Sequence, residues 1–289
     1  MSKILKGSPV AEEIRQEIEK ELLLYKEKGI CAKIAIIRVG EKEEDLAYET
    51  RVIRNCEKSG IKTEVISVEE NIKIEQFTDI IIGLNQDPNT HGILIFRPLP
   101  KQLNEDEIGK LIRYDKDIDC MSLINNAKVF VSDLTGIIPC TPEAVIRILK
   151  FYGYNLSGKN VVIVNRSMVV GKPLSMLFLA ENSTVTICHS KTKNLSLITS
   201  KADIVVTGIG KAHYFKPEYF SEDSIVVDVG INLLNGKISG DVDFDKVVNN
   251  VSAITPVPGG VGTVTSMILL RHILKCIRMQ QSEEIRADI

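Results

Sequence analysis

The stretch VVIVNRSMVVGKP (161–173) has the residue order of an anion-binding turn. A buried strand runs into a tight loop and then a helix, whose first N–H groups and dipole favour a phosphate. The loop is not G-x-G-x-x-G. Asn165 stands where a first glycine would be, and Gly171 is its only glycine. Asn165, Arg166, Ser167, Val170 and Gly171 are therefore the candidate cofactor residues of this turn. The following strand, TVTIC, ends in His189, Ser190 and Lys191. An acid at that place would suit the ribose hydroxyls of NAD. A hydroxyl and a cation suit a 2′-phosphate instead, and the planar fork of Arg166 adds a second phosphate-fitting group. The cofactor expected is NADP. The same residues also read as an ordinary βα turn with solvated loop side chains, and the pattern alone does not choose.

A second stretch, AYETRVIRNC (47–56), puts Tyr48 and Val52 one helical turn apart on one face, with Glu49 and Arg54 pointing elsewhere. That face is either core or the wall of a site. DKDID (115–119) offers Asp119 as an acid, but also reads as a turn cap within a solvated charge run. Of the six cysteines none forms C-x-x-C, and only Cys188 adjoins a histidine. They are expected to be packing thiols of a reduced protein, with no metal site.

These groups need a scaffold. The 289 residues exceed what one core usually holds, so two domains are expected. A net charge of -2 gives no global field for nucleic acid or an anionic membrane, and 5% aromatics with no Trp disfavours a stacking platform for single strands. No apolar run has the length of a membrane span or the form of a signal core, so the protein is expected to be cytoplasmic. Strand-like runs at 33–40, in TEVISV and in HGILIFRPLP alternate with helical patterns at 9–28, through AYETRVIRNCEKSGI and at 73–86. Residues 101–140 read as irregular apart from a short helix near 105–112. From Thr141, expected to cap a helix with Pro142 in its first turn, the alternation restarts through five more strands, the last followed by a glycine-rich turn and a long helix. The tail after Met279 reads as fraying. The fold class is α/β with two α/β domains, the second a Rossmann-like parallel sheet. Their expected bounds are 1–140 plus 265–289 for the first and 141–264 for the second.

RPLP (97–100), DKDID (115–119), PCTP (139–142), RSMVVGKP (166–173), TICHSKT (186–192), DVGIN (228–232), GDVDF (240–244) and TPVPGGVG (255–262) occur in one order over nearly the whole chain. In order and spacing they resemble the methylenetetrahydrofolate dehydrogenase/methenyltetrahydrofolate cyclohydrolase family, the bifunctional FolD proteins. The resemblance implies a folate site in a cleft between the two domains and a homodimer formed through the nucleotide-binding domain. It implies NADP-dependent oxidation of 5,10-methylenetetrahydrofolate, then hydrolysis of the methenyl product to 10-formyltetrahydrofolate, in one-carbon metabolism and purine biosynthesis. By resemblance Tyr48 stacks on folate and Asp119 faces the pteridine. Pro98, Leu99, Pro258, Gly259 and Gly260 complete the folate site. Arg166, Ser167, His189, Ser190 and Ile231 fall at the cofactor.

Five positions depart from the family pattern. Val52 stands at the family's catalytic lysine and Phe96 at the glutamine supporting it. Cys120 replaces a glycine, and Thr263 with Val264 replace proline and methionine. Arg51 lies near the Tyr48 face. Arg97 follows Phe96 and, by strand alternation, is expected to point away from it. Neither guanidinium readily gives up a proton. Hydride transfer needs placement of two molecules and no protein base, whereas hydrolysis needs protons moved. A dehydrogenase with weak or lost cyclohydrolase is therefore expected. Full bifunctionality is the first alternative. A folate- and nucleotide-binding protein without turnover is the second, marked by binding of both ligands with no NADPH formed.

Overall fold

Gly60 shows how closely local chemistry sets the elements. At φ 77° it caps the helix carrying Tyr48, its N–H reaching the carbonyls of Cys56 and Glu57. The computed structural model describes residues 2–234 and 236–287. In chain order its elements are β1 (Lys3–Ile4), α1 (Gly7–Glu27), β2 (Lys33–Val39), α2 (Glu43–Ser59), β3 (Lys62–Val68), α3 (Ile74–Gln86) and β4 (Gly92–Ile95). Then come α4 (Glu105–Leu111), α5 (Leu123–Phe130), α6 (Cys140–Phe151), β5 (Asn160–Val164), α7 (Gly171–Ala180), β6 (Thr184–Cys188), α8 (Leu195–Thr199) and β7 (Ile204–Thr207). The chain ends with β8 (Ile225–Asp228), β9 (Asn232–Leu234), β10 (Lys237–Ser239), α9 (Phe244–Val247), β11 (Ala253–Ile254) and α10 (Val261–Ala287).

Two compact units form. One comprises Met1–Glu13, Phe130–Ser132 and Pro139–Thr265; the other comprises Ile14–Val129, Asp133–Ile138 and Ser266–Ile289. The first residues group differently from the expected 1–140 because β1 pairs in parallel with β11, Lys3 opposite Ala253.

In the unit around Ile14–Val129 a parallel sheet has the order β3-β2-β4. β4 is buried throughout, and β2 in all but its first residue, as expected for strands covered on both faces. Ile37, Ile93 and Ile95 pack with Phe77 and Ile81 of α3 and with Leu103 and Ile108. Each such side chain contributes about 1.5–3 kcal/mol by burial.

In the unit around Pro139–Thr265 the parallel sheet has the order β1-β11-β8-β7-β5-β6. Val162, Val205, Val226 and Ile254 of adjoining strands pack with Phe215 and Phe220. Val164 of β5 lies level with Cys188 of β6 and Thr207 of β7. The chain leaves β5 for β6 on one side and returns to β7 on the other. This reversal is where doubly wound sheets place a ligand, beyond the carboxyl ends of the strands.

The structure corrects several sequence expectations. α6 begins at Cys140 with Pro139 at the cap position, not at a Thr141 cap, and Pro142 lies in its first turn. The supposedly irregular 101–140 segment contains α5, and a β9–β10 hairpin turns at Gly236, φ 74°. Past Met279 α10 continues to Ala287, where Gln280 donates to the carbonyls of His91 and Asp115; the last two residues lie outside those described. No helix among the described residues is long and apolar enough to cross a membrane.

Candidate functional site

α2 carries Tyr48 to the mouth of a small cleft. Its first turn holds Glu43, Glu44 and Asp45, which suit the positive helix end. Glu49 is pinned to Arg38 of β2 at 2.8 Å, an ion pair mostly shielded from water. Val52 and Cys56 then point inward and are buried. Tyr48, one turn before Val52, is 37% exposed. Its ring lies 5.0 Å from that of Phe96, tilted by 46°, and the Arg51 guanidinium lies 5.7 Å from the Tyr48 ring. Asp45, Tyr48, Leu94, Ile95, Phe96, Arg97 and Asp119 line the cleft, which encloses about 170 Å³. The Tyr48 face is thus part core, at Val52, and part wall, at Tyr48.

Arg97 contradicts its expected orientation. β4 ends at Ile95, so the alternation that would turn Arg97 from Phe96 has ceased before either residue. A cis peptide joins Arg97 to Pro98. Arg97 Nη2 donates to Asp119 Oδ2 at 2.6 Å. Leu99 is half-buried, and its N–H donates to Glu105 at 2.9 Å; Pro98 is exposed.

Asp119 is held by a loop that is not a solvated charge run. Asp115 and Asp117 are each 1% exposed. Arg113 grips Asp115 with two bonds of 2.9 and 2.6 Å. Lys116 donates to the carbonyls of Leu84 and Asp87, and burial lowers its pKa. The Asp117 carboxylate accepts from Met121 N–H, Ser122 N–H and Asn125 Nδ2 at 2.8–2.9 Å, closing the turn beneath Asp119. Cys120 sits at φ 58°, a left-handed backbone that glycine adopts more readily than a residue with a side chain. For Asp119 burial raises the pKa, Arg97 pulls it down, and the net direction is upward.

The dinucleotide turn lies in the other unit. Asn165 does work that a first glycine cannot. Its Oδ1 accepts from Ser167 N–H and Oγ at 2.8 Å and from Gly171 N–H at 3.0 Å, while its Nδ2 donates to the Gly208 carbonyl beyond β7. The Val170 N–H donates to Ser167 Oγ. A Cβ on Gly171 would come 2.1 Å from the Asn165 carbonyl oxygen, so this close approach admits only glycine. Arg166 is exposed in the loop, and Ser190 and Lys191 are exposed just after β6. His189 is half-buried: its N–H donates to Thr192 Oγ1 and its Nδ1 accepts from Lys191 N–H. It is fixed by its own turn. Ile231 is 70% exposed after β8. Since β5, β6 and β7 end level, these loops share one edge of the sheet. Glycine-permitted approach, a helix start and exposed cations fit a phosphorylated dinucleotide.

In the same unit, Gly259 has φ 100° and its carbonyl accepts from Gly7 N–H at 2.8 Å. A Cβ on Gly260 would meet the Pro256 carbonyl oxygen at 2.4 Å. Pro258 follows a cis peptide. The motifs DVGIN and GDVDF interlock here. Asp228 accepts from Val242 and Gly230 N–H groups, and Asp241 from Lys211 and Asn232, among others. Burial raises Asp228 to about 6. Sequence reading gave neither aspartate a role, and missed Asp45, Asp117 and the pairing of Arg97.

Residues 139–281 match the model of the tetrahydrofolate dehydrogenase/cyclohydrolase NAD(P)-binding domain, and residues 5–119 that of the catalytic domain. A protein of Clostridium botulinum (strain 657 / Type Ba4), called bifunctional protein FolD, is 55% identical over 275 residues, covering 95% of this chain and 98% of its own. Among solved structures, the bifunctional FolD methylenetetrahydrofolate dehydrogenase/cyclohydrolase of Campylobacter jejuni superposes with a TM-score of 0.94 at 38% identity, over 97% of this chain and all of that one (100%). The Trypanosoma brucei methylenetetrahydrofolate dehydrogenase-cyclohydrolase, complexed with NADP and an inhibitor, gives 0.90 at 29% identity, over 96% and 98%.

Proposed function

The chain belongs to the tetrahydrofolate dehydrogenase/cyclohydrolase family, and from that premise we propose that it oxidises 5,10-methylenetetrahydrofolate with NADP and hydrolyses the methenyl product slowly or not at all. The observation that carries this reading is the makeup of the cleft beside Tyr48. Val52 and Phe96, at the family's lysine and glutamine, are 3% and 5% exposed, and Phe96 packs on Tyr48. The cleft's own arginine is committed to Asp119.

In the oxidation a C–H bond of the methylene carbon breaks, and its electron pair leaves as hydride, giving the methenyl cation. NADP, when bound, supplies the acceptor. The protein takes no proton in this step. Tyr48 offers its ring face to the folate, and Asp119 offers an acceptor oxygen to the N–H edge of the pterin. Hydrolysis adds water to the methenyl carbon and opens the ring, so a group must accept and return protons. An arginine keeps its charge at any working pH and serves poorly there.

The test follows NADPH and methenyltetrahydrofolate separately with purified protein. Both are expected to accumulate together, with the methenyl absorbance decaying at the rate of buffer alone. Decay accelerated by the protein overturns the loss of hydrolysis. It would favour the second reading, full bifunctionality, which the naming of the C. botulinum relative as bifunctional supports. In that reading Asp119 and a water carry the hydrolysis.

For the cofactor, Arg166, Ser190 and Lys191 are the groups proposed at the 2′-phosphate, and Asn165, Ser167, Val170 and Gly171 shape the turn. Replacing Asn165 with Ala removes three accepted bonds and one donated bond. At about 0.5–1.5 kcal/mol each, partly recovered by water, the expected result is NADP affinity weaker by about 10–100-fold. Calorimetric titration measures it. A homodimer in the cytoplasm is part of the same proposal, and sedimentation of the purified protein tests the dimer.

A further inference from the structure

We propose that Arg97 is a positioning residue for the folate reaction: by holding one oxygen of Asp119 it orients that carboxylate, leaving the second oxygen to accept from the substrate's N–H edge. The inference rests on the folate-facing role proposed for Asp119.

Both side chains line the same cleft, and they are 24% and 27% exposed. The bond is single: Arg97 Nη2 to Asp119 Oδ2 at 2.6 Å. Among the described residues, Asp119 Oδ1 has no protein hydrogen bond, so one acceptor remains for a ligand in the cleft. The backbone beneath is fixed by Asp117, so Arg97 acts on a carboxylate whose loop is already set.

The charges around Asp119 come from several elements. Arg97 reaches it from beyond β4, Asp117 from its own loop, and His272 from α10. Asp45 and Tyr48 face the same cleft from α2. Glu105 and Asp117 also act on Arg97. Burial pushes the Asp119 carboxyl upward, and Arg97 is the foremost opposing influence. Without Arg97 the carboxyl therefore titrates at still higher pH, and more of it is neutral at a given acidic pH. A neutral carboxyl is the weaker acceptor for an N–H pair. Arg97 thus supplies a fixed cation to a site whose family counterpart holds a lysine, without supplying a transferable proton.

The test compares wild type, Arg97→Leu and Arg97→Lys in two measurements. The first is the pH profile of kcat/KM for methylenetetrahydrofolate. Arg97→Leu is expected to lower kcat/KM about tenfold near neutrality, mostly through KM, and to move the acid limb to higher pH. KM for NADP is expected to stay unchanged, and Arg97→Lys to restore the acid limb. The second is the carbon-13 titration of the Asp119 carboxyl without substrate, expected to move upward in Arg97→Leu and to return in Arg97→Lys. An Asp119 titration unmoved by Arg97→Leu overturns the inference whether or not the protein turns over. So does an Arg97→Lys variant no better than Arg97→Leu. A wild type without turnover but with the expected carboxyl shift supports the pairing and sinks the proposed function instead.

Discussion

Asp119→Asn is expected to lower kcat/KM for methylenetetrahydrofolate by about 10²-fold while NADP affinity stays unchanged. In the proposed folate site Asp119 is an acceptor for the substrate, and hydrogen bonds to a charged group are worth about 1.5–3 kcal/mol each. An amide keeps the shape but has one acceptor oxygen. If that oxygen accepts from Arg97, the amide presents N–H to the substrate's N–H edge, donor against donor. If it turns the other way, Arg97, at 24% exposure, loses the charged acceptor it holds at 2.6 Å. Either arrangement loses the ligand contact. The cost falls on substrate affinity, so KM carries most of it and kcat less. Steady-state kinetics with each substrate varied in turn measures the split. A kcat/KM within threefold of wild type would remove Asp119 from the folate site. The backbone of its loop is held by Asp117, so the fold survives the change.

Much of this molecule was legible in its sequence because the elements that carry it are local. Valine-rich runs made strands, Gly60 stopped α2, and the run around Asn165 formed the strand, loop and helix its order reads as. Other features depend on residues distant in sequence. β1 exists only because Lys3–Ile4 finds β11 about 250 residues later, and two residues carry no periodicity to read. DKDID reads as solvated because charge normally seeks water; here each inward charge has a partner, Asp115 in Arg113 and Lys116 in two carbonyls. Arg97 was misplaced by applying strand alternation two residues past the end of β4. Asn165 stands in sequence where a first glycine would be, and that its side chain ties the turn together is visible only once the loop closes on itself. What the sequence withheld was pairing, and the site chemistry turns on pairing.

Gly171→Ala is expected to weaken NADP binding by at least about 10²-fold, the largest single effect at the cofactor turn. The added Cβ would lie 2.1 Å from the Asn165 carbonyl oxygen, 2.4 Å from its carbon and 2.8 Å from Arg166 N. All three are backbone atoms, so no side chain can rotate aside. The turn must open, and opening it breaks the 3.0 Å bond from Gly171 N–H to Asn165 Oδ1. With that bond goes the alignment of the first N–H groups of α7, the feature that favours a phosphate there. Forcing a methyl into packed structure typically costs about 1–3 kcal/mol, which lowers the melting temperature of a domain this size by several degrees. Calorimetric titration with NADP reads the binding loss, and titration with tetrahydrofolate is the internal control, since Tyr48, Phe96 and Asp119 lie in the other unit. Gly83→Ala supplies the contrast. Gly83 lies in α3, where an added methyl would meet nothing within 4 Å and the backbone is not left-handed. Alanine there is expected to stabilise by about 0.5–1 kcal/mol and leave NADP binding alone. Equal effects of the two substitutions on NADP affinity would mean that general destabilisation, and not the closed turn around Asn165, governs the cofactor site.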